Sequence, residues 1–299
     1  MRRLRALACA ALLPCAAVAA PVYDAIAPAS AAATALRSRF AALAAERGLG
    51  QFRRPLHIDS SETGDGVTGE INAIVDQPFA TTGAALSKPA QWCEILILHL
   101  NVKYCRPSGD RQGMFLHVVI GKKYDQPLEA AYPVDFTYAV VADTGDYLQV
   151  KLNAAQGPLG TRGYLIRLEA APVEAGRSLI RLSYSYSYGF VARLAMEVYL
   201  ATIGRNKVGF TVTGVQADGE TRYIAGMRGV TERNTMRYYL AVESFLGALS
   251  APANARVEKS LGDWFNAIER YPRQLHEMER GEYLAMKRME YARQQLKAL

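Results

Sequence analysis

Apolar and polar positions alternate with period two from Val67 to Val75, with Val67, Ile71, Ala73 and Val75 on one side and Thr68, Glu70 and Asn72 on the other. That is the pattern of a half-buried strand. Two short helices are expected next. Asp76 is suited to accept from the first free N–H groups of a helix, with Pro78 near its start, and Ser87 and Pro89 signal a second. The second helix is expected to carry Trp92, Ile95, Leu96 and His99 on adjacent positions. From Asn101 the chain turns extended, and turn-forming clusters divide it into a meander. Pro107 to Asp110 make one break, an apolar strand runs from Phe115 to Ile120, and Val134, Phe136, Tyr138 and Val140 alternate with polar or small neighbours. The DTGD turn at Asp143 to Asp146 leads into Leu148, Val150 and Leu152, and Tyr164, Ile166 and Leu168 form a further face. This spacing predicts an antiparallel sheet with one face inward.

The strand from Leu179 to Tyr188 is distinctive. Ile180, Leu182, Tyr184, Tyr186 and Tyr188 fall on one face, and Arg181, Ser183, Ser185 and Ser187 on the other. An aromatic face on a concave sheet serves either as packed core under a helix or as the wall of a ligand cavity with phenol hydroxyls on offer. Phe190 to Ile203 has helical spacing, although a strand also fits, and Val208, Phe210 and Val212 read as a strand. A long helix is expected from about Thr231, carrying Met236, Tyr239, Leu240, Phe245 and Leu249. Helical, charged sequence follows from Asn254. Its mixed charge favours a solvated helix over one lying on a membrane or partner. Residues 35–47 read as an amphipathic helix ending at Gly48, and the DSSETGDG run at 59–66 reads as a turn because it lacks the ligand spacing of a calcium loop.

Charge and cysteine content change the picture at the N-terminus. Arg2, Arg3 and Arg5 precede an apolar segment from Ala6 to Val18 and small residues before Pro21, which is the form of a cleaved secretory signal over residues 1–20. The protein is therefore expected to be periplasmic or secreted. Without those three arginines the 35 basic residues fall to 32 against 28 acidic ones, a formal excess of +4 rather than +7. That excess is too mild to suggest a nucleic-acid partner. Cys9 and Cys15 leave with the signal, so Cys93 and Cys105 remain. An even pair in an oxidising compartment suggests a disulfide tying the second helix to the strand after it. The rival, a metal or catalytic thiol pair, lacks a companion CxxC or paired histidines.

Catalytic signatures are absent from the sequence: there is no GxSxG, P-loop, HExxH or dinucleotide-binding glycine fingerprint. No cofactor and no metal is expected. His57, His99, His117 and His276 do not approach one another at ligand spacing. His99 is singled out because its position near Trp92 and Ile95 would let it reach a cavity as a general base or as a contact for a polar ligand head.

The order of strand, helix pair, meander and long helix, carried by GEINAIVDQPFATTGAALSKPAQWCEILI and the strands that follow, resembles the START-like or helix-grip superfamily of lipid-transfer domains and polyketide cyclases. The likeness covers about residues 55–250 and implies an α+β fold, a curved antiparallel sheet wrapped around a long C-terminal helix with an apolar tunnel between. It leaves residues 21–54 as an N-terminal helical segment and 251–299 as a C-terminal helical extension. No buried charge pair of the kind some lipid-transfer members use is visible in the sequence. By the resemblance Trp92, Tyr184, Tyr186, Tyr188 and Tyr239 are cavity walls, joined by His99, and the partner is a lipid or other hydrophobic small molecule. The rival functions are a cyclase- or hydratase-like enzyme on the same fold and an envelope protein whose cavity is filled and whose C-terminal helix docks on a membrane or partner.

Overall fold

The structure is a computed structural model that describes residues 29–47, 52, 54–111, 113–174, 176–189, 194 and 207–296. The leader expected over 1–20 lies outside these residues, as does the segment expected over 190–203 apart from Leu194. The elements run α1 (Ala29–Arg47), β1 (Leu56–Thr63), β2 (Gly66–Val75), α2 (Phe79–Leu86), α3 (Pro89–Leu96), β3 (Val102–Asp110), β4 (Gly113–Ile120), β5 (Tyr132–Asp143), β6 (Leu148–Gln156), β7 (Thr161–Glu174), β8 (Arg177–Tyr188), β9 (Val212–Val215) and β10 (Thr221–Tyr223). Four helices close the chain: α4 (Gly226–Ala248), α5 (Arg256–Ile268), α6 (Pro272–Leu275) and α7 (Arg280–Leu296).

Eight strands form one antiparallel sheet in the order β1-β2-β8-β7-β6-β5-β4-β3, and β9 and β10 make a separate hairpin. Irregularities in pairing within β3–β4, β5–β6 and β7–β8 bend the sheet. Its inner face buries the residues that the alternation marks, Val67, Ile71, Ala73 and Val75 from β2 and Ile180, Leu182, Tyr184, Tyr186 and Tyr188 from β8. The long helix α4 packs against β1, β2 and β8 and against α3 and α5. Its approach over β2 is close because Gly69 lacks a side chain: a Cβ there would lie 2.3 Å from Thr235 Oγ1. A curved antiparallel sheet, a helix pair between β2 and β3, and a long helix closing the inner face make this an α+β helix-grip fold.

Several local expectations are corrected. The 59–63 stretch is strand, with the turn confined to Gly64 and Asp65, and Gly64 takes the left-handed conformation (φ 60°) that a tight hairpin needs. Pro107 does not break the chain but sits inside β3. That strand is the edge of the sheet, where a missing N–H is tolerated. Pro78 rather than Asp76 stands at the start of α2, and Lys88 rather than Ser87 precedes α3. His99 is not on α3, which ends at Leu96, but in the turn beyond it. The run at 208–211 is a loop rather than a strand. Its main chain is claimed by the fully buried Glu232 of α4, which accepts from Phe210 N (2.6 Å), Thr211 N (2.9 Å), Thr211 Oγ1 (2.7 Å) and Ser60 Oγ (2.7 Å).

The C-terminal helices are not solvated. Leu261, Trp264 and Phe265 of α5 and Tyr283, Leu284 and Met286 of α7 belong to the same hydrophobic cluster as the sheet. Charge is buried there as well. Glu290 Oε1 accepts from Lys103 Nζ (2.9 Å) and Glu290 Oε2 from Lys287 Nζ (2.7 Å), with all three side chains fully buried. The spare lysine protons are used on the chain between α3 and β3. Lys287 donates to His99 O (2.7 Å) and Val102 O (2.8 Å), and Lys103 donates to Leu100 O (3.1 Å). Tyr283 OH donates to Leu98 O (3.0 Å), and Gln294 Oε1 accepts from Cys105 N (3.0 Å). Cys93 and Cys105 form a disulfide with their Cα atoms 5.1 Å apart, joining α3 to β3 across the same corner. Closing so short a loop stabilises by about 3 kcal/mol in the chain-entropy view.

Three outcomes follow from this packing. Gly69→Ala is expected to force α4 off β2 and lower the unfolding free energy by about 1–3 kcal/mol, read from the denaturant midpoint. Burial holds the Lys287 ammonium at about 8 although Glu290 opposes the shift, against an ordinary 10.5. Between those pH values the unfolded chain binds a proton that the folded chain has lost, so this residue's contribution to stability is lowest below pH 8 and rises towards pH 10.5. Wild type compared with Lys287→Met by urea titration from pH 7 to 10 should show that rise, and a pH-independent difference would contradict it. Glu290→Gln, which leaves two buried lysines without their carboxylate, should cost about 3–5 kcal/mol.

Candidate functional site

Between the inner face of the sheet and α4 the aromatic side chains form a connected run. The ring of Tyr188 lies 6.3 Å from Tyr186, Tyr186 stacks on Tyr164 of β7 at 5.3 Å and 11°, and Tyr184 lies 5.5 Å from Tyr186. Tyr184 reaches Tyr238 of α4 at 5.4 Å, and Tyr238 stacks on His99 at 4.7 Å and 24°. Phe136 of β5 meets Tyr164 edge-on at 6.4 Å. Residues two apart on β8 necessarily share a face, and β7 pairs with β8 so that Ile166 lies opposite Tyr184, which brings Tyr164 alongside. Tyr238 and Tyr164 are only half-buried, although each is flanked by other rings.

Four of the six predicted residues, His99, Tyr184, Tyr186 and Tyr188, are thus brought together. Tyr239 and Trp92 are elsewhere. Tyr239 points from the next position of α4 to Glu243 (2.9 Å) and carries the Arg54 guanidinium 5.5 Å above its ring. Trp92 is 1% exposed and donates its indole N–H to Leu86 O at 2.7 Å, as befits a core side chain. Tyr238 was missed because the apolar stripe of α4 runs through Tyr239, and one helical position turns a side chain by about 100°. Tyr164 was legible as an inward residue but carried no separate signal.

The wall is polar but uncharged. Burial pushes the Tyr184 phenol well above its ordinary range, reinforced by Tyr164, Tyr238 and Tyr186; burial likewise raises Tyr186, Tyr238 and Tyr164. Tyr164 OH shares a hydrogen bond with Thr161 Oγ1 (2.8 Å) and another with Tyr184, Tyr186 is bonded to Thr231, and Tyr188 donates to Glu62. His99, 3% exposed, is held well below the ordinary imidazole range by burial first and then by the charges of Arg237, Lys287, Lys123 and Lys103. Its Nδ1 accepts from Asn101 N at 3.1 Å, which places the proton of the neutral ring on Nε2. Nearby, Glu277 Oε1 receives both Arg237 Nη2 and Lys123 Nζ at 2.7 Å. Burial lowers Lys123 to about 8, with Arg237 adding to the effect and Glu277 opposing it. Burial alone would raise the Glu277 carboxyl, but Arg237 and Lys123 keep it below its usual range. The arrangement suits hydrogen bonding to a guest better than proton transfer, since neither the phenols nor the imidazole changes charge near neutral pH.

A separate cavity of about 230 Å³ lies among α3, α4, α5 and α7, walled by Ile97, Leu98, Phe245, Leu249, Val257 and Leu261. None of the six predicted residues lines it. Among the described residues no three His, Cys, Asp or Glu side chains are grouped to hold a metal, and no helix is long and apolar enough to cross a membrane.

These features define a helix-grip protein with a tyrosine-rich inner wall. No known protein family matches the chain, and no curated protein does so in sequence. Among solved structures it is similar to norcoclaurine synthase from Thalictrum flavum (13% identity, 50% of this chain and 80% of that one, TM-score 0.32). A START superfamily protein from Mycobacterium smegmatis matches at 13% identity over 50% of this chain and 92% of that one (TM-score 0.31). A conserved protein from Geobacillus kaustophilus matches at 11% over 46% and 85% (TM-score 0.31). Strand order and helix placement in this chain define the fold.

Magnetic-resonance titration provides a check on the site. The His99 ring is expected to stay neutral well below pH 6.5 with its proton on Nε2. A His99 midpoint at or above 6.5 would contradict the burial and charge environment described.

Proposed function

We propose that the protein is an exported, non-enzymatic carrier or sensor of a lipid or other apolar small molecule, held between the sheet and α4. The observation that carries this reading is the aromatic run from Tyr188 to His99, whose rings offer apolar area and whose hydroxyls stay neutral. A half-buried Tyr238 inside that run supports space beside it for a guest. Export to the periplasm or beyond is supported by the secretory form of residues 1–20 and by a disulfide between the two cysteines that remain after it. A cyclase- or hydratase-like reaction is disfavoured because the titratable groups of the wall are held in one protonation state around neutral pH.

The test is native mass spectrometry of the mature protein taken from its own envelope, with organic extraction of bound material, alongside uptake of the neutral apolar dye N-phenyl-1-naphthylamine. A co-purifying apolar metabolite, or saturable dye uptake weakened severalfold by Tyr238→Ala, is the expected result. An empty protein that takes up no dye would overturn the carrier reading.

A further inference from the structure

One donor in this site is left unmatched among the described residues. His99 Nε2 is buried and has no hydrogen-bond partner among the described residues, while the other ring nitrogen is fixed as an acceptor by Asn101 N. The ring cannot exchange these roles without breaking that bond. A buried donor left unmade costs free energy comparable with a lost hydrogen bond, so the site is improved by anything that brings an acceptor to it. The stacked Tyr238 ring and the Tyr184 ring beyond it lead to the same point, so a flat apolar body laid along them would end beside His99. The charges there are cationic in the main. Lys123 and Arg237 meet on one Glu277 oxygen, and Lys103 and Lys287 share Glu290 behind the turn that carries His99. A cationic head would meet an N–H donor and the like charges of Lys123 and Arg237, whereas an anion meets complementary partners.

Building on the carrier reading, we propose that the guest is an organic anion with a flat apolar body, its carboxylate, sulfonate or phosphate head accepting from His99 Nε2 beside Lys123. Lys123 supplies charge and His99 supplies direction. Its side chain is 31% exposed, so this ammonium marks the side from which the head is reached.

Two naphthalene dyes separate this proposal from the one it rests on: 8-anilinonaphthalene-1-sulfonate, which carries an anionic head, and N-phenyl-1-naphthylamine, which does not. Both are titrated by fluorescence into the mature wild-type protein, His99→Phe and Lys123→Met, with circular dichroism to verify folding. His99→Phe keeps a ring on Tyr238 and removes the donor. Each substitution is expected to weaken the sulfonate roughly tenfold, and Lys123→Met, which lies outside the aromatic run, to change the neutral dye less than twofold. If the variants bind both dyes as wild type does, the anion site is refuted and the carrier stands. If neither dye binds wild type, the carrier reading falls and the anion site with it. Should His99→Phe fail to fold, Lys123→Met decides alone, and unchanged sulfonate affinity there refutes the proposal.

Discussion

The carbonyls of the turn between α3 and β3 are the constraint on which the architecture depends. Leu98, His99 and Leu100 place their C=O groups in the protein interior outside any helix or sheet ladder, and Val102 stands where the pairing of β3 with β4 is irregular, so an unpaired carbonyl there is costly. Tyr283, Lys287 and Lys103 supply the donors, and Glu290 balances the two ammonium groups brought in to do so. Replacing this arrangement with apolar side chains would leave the turn unsatisfied, which explains why charge is tolerated at the centre of an otherwise apolar core. The disulfide holds the two flanks of the turn, Cys93 and Cys105, at the spacing that the donors require. The position of His99 is a product of all three devices.

From that corner the rest of the site follows. With His99 fixed, Tyr238 has a surface to stack on, and α4 is brought down on the sheet by the missing side chain at Gly69 and by Glu232, which gathers Ser60 and the 210–211 main chain to the same helix. Both contacts fall in the N-terminal half of α4, where Thr231 and Thr235 meet Gly69 and Glu232 lies between them, so this half of the helix is fixed by a close backbone approach and a buried carboxylate together.

Much of this was legible in the sequence because strands declare themselves by alternation. The inward sets of β2 and β8, the tyrosines of β8 and the cysteine pair all follow from period two and from residue type. What was not legible required knowledge of neighbours. Pro107 reads as a breaker until β3 is known to be an edge, and Lys287 and Glu290 read as a solvated face until the carbonyls they serve are in view. Helix α7 has the composition of a surface helix, but Tyr283, Leu284, Met286, Lys287, Glu290 and Gln294 are all buried. Hydropathy cannot distinguish a lysine facing water from one facing backbone oxygen. Tyr238 was obscured for a similar reason, since on α4 the more apolar stripe passes one residue further on.

The span of the contacts at the α3–β3 turn has a kinetic consequence. Tyr283 and Lys287 reach carbonyls 185 to 188 residues earlier in the chain. Contacts so distant in sequence close late, because the loop entropy must be lost before they form. During synthesis Leu98 O lacks its Tyr283 donor, and His99 O and Val102 O lack Lys287, until α7 has left the ribosome, so this corner of the partly made chain is kept from locking into its final form. The delay leaves the α3–β3 corner open to rearrangement until α7 docks and completes the core there.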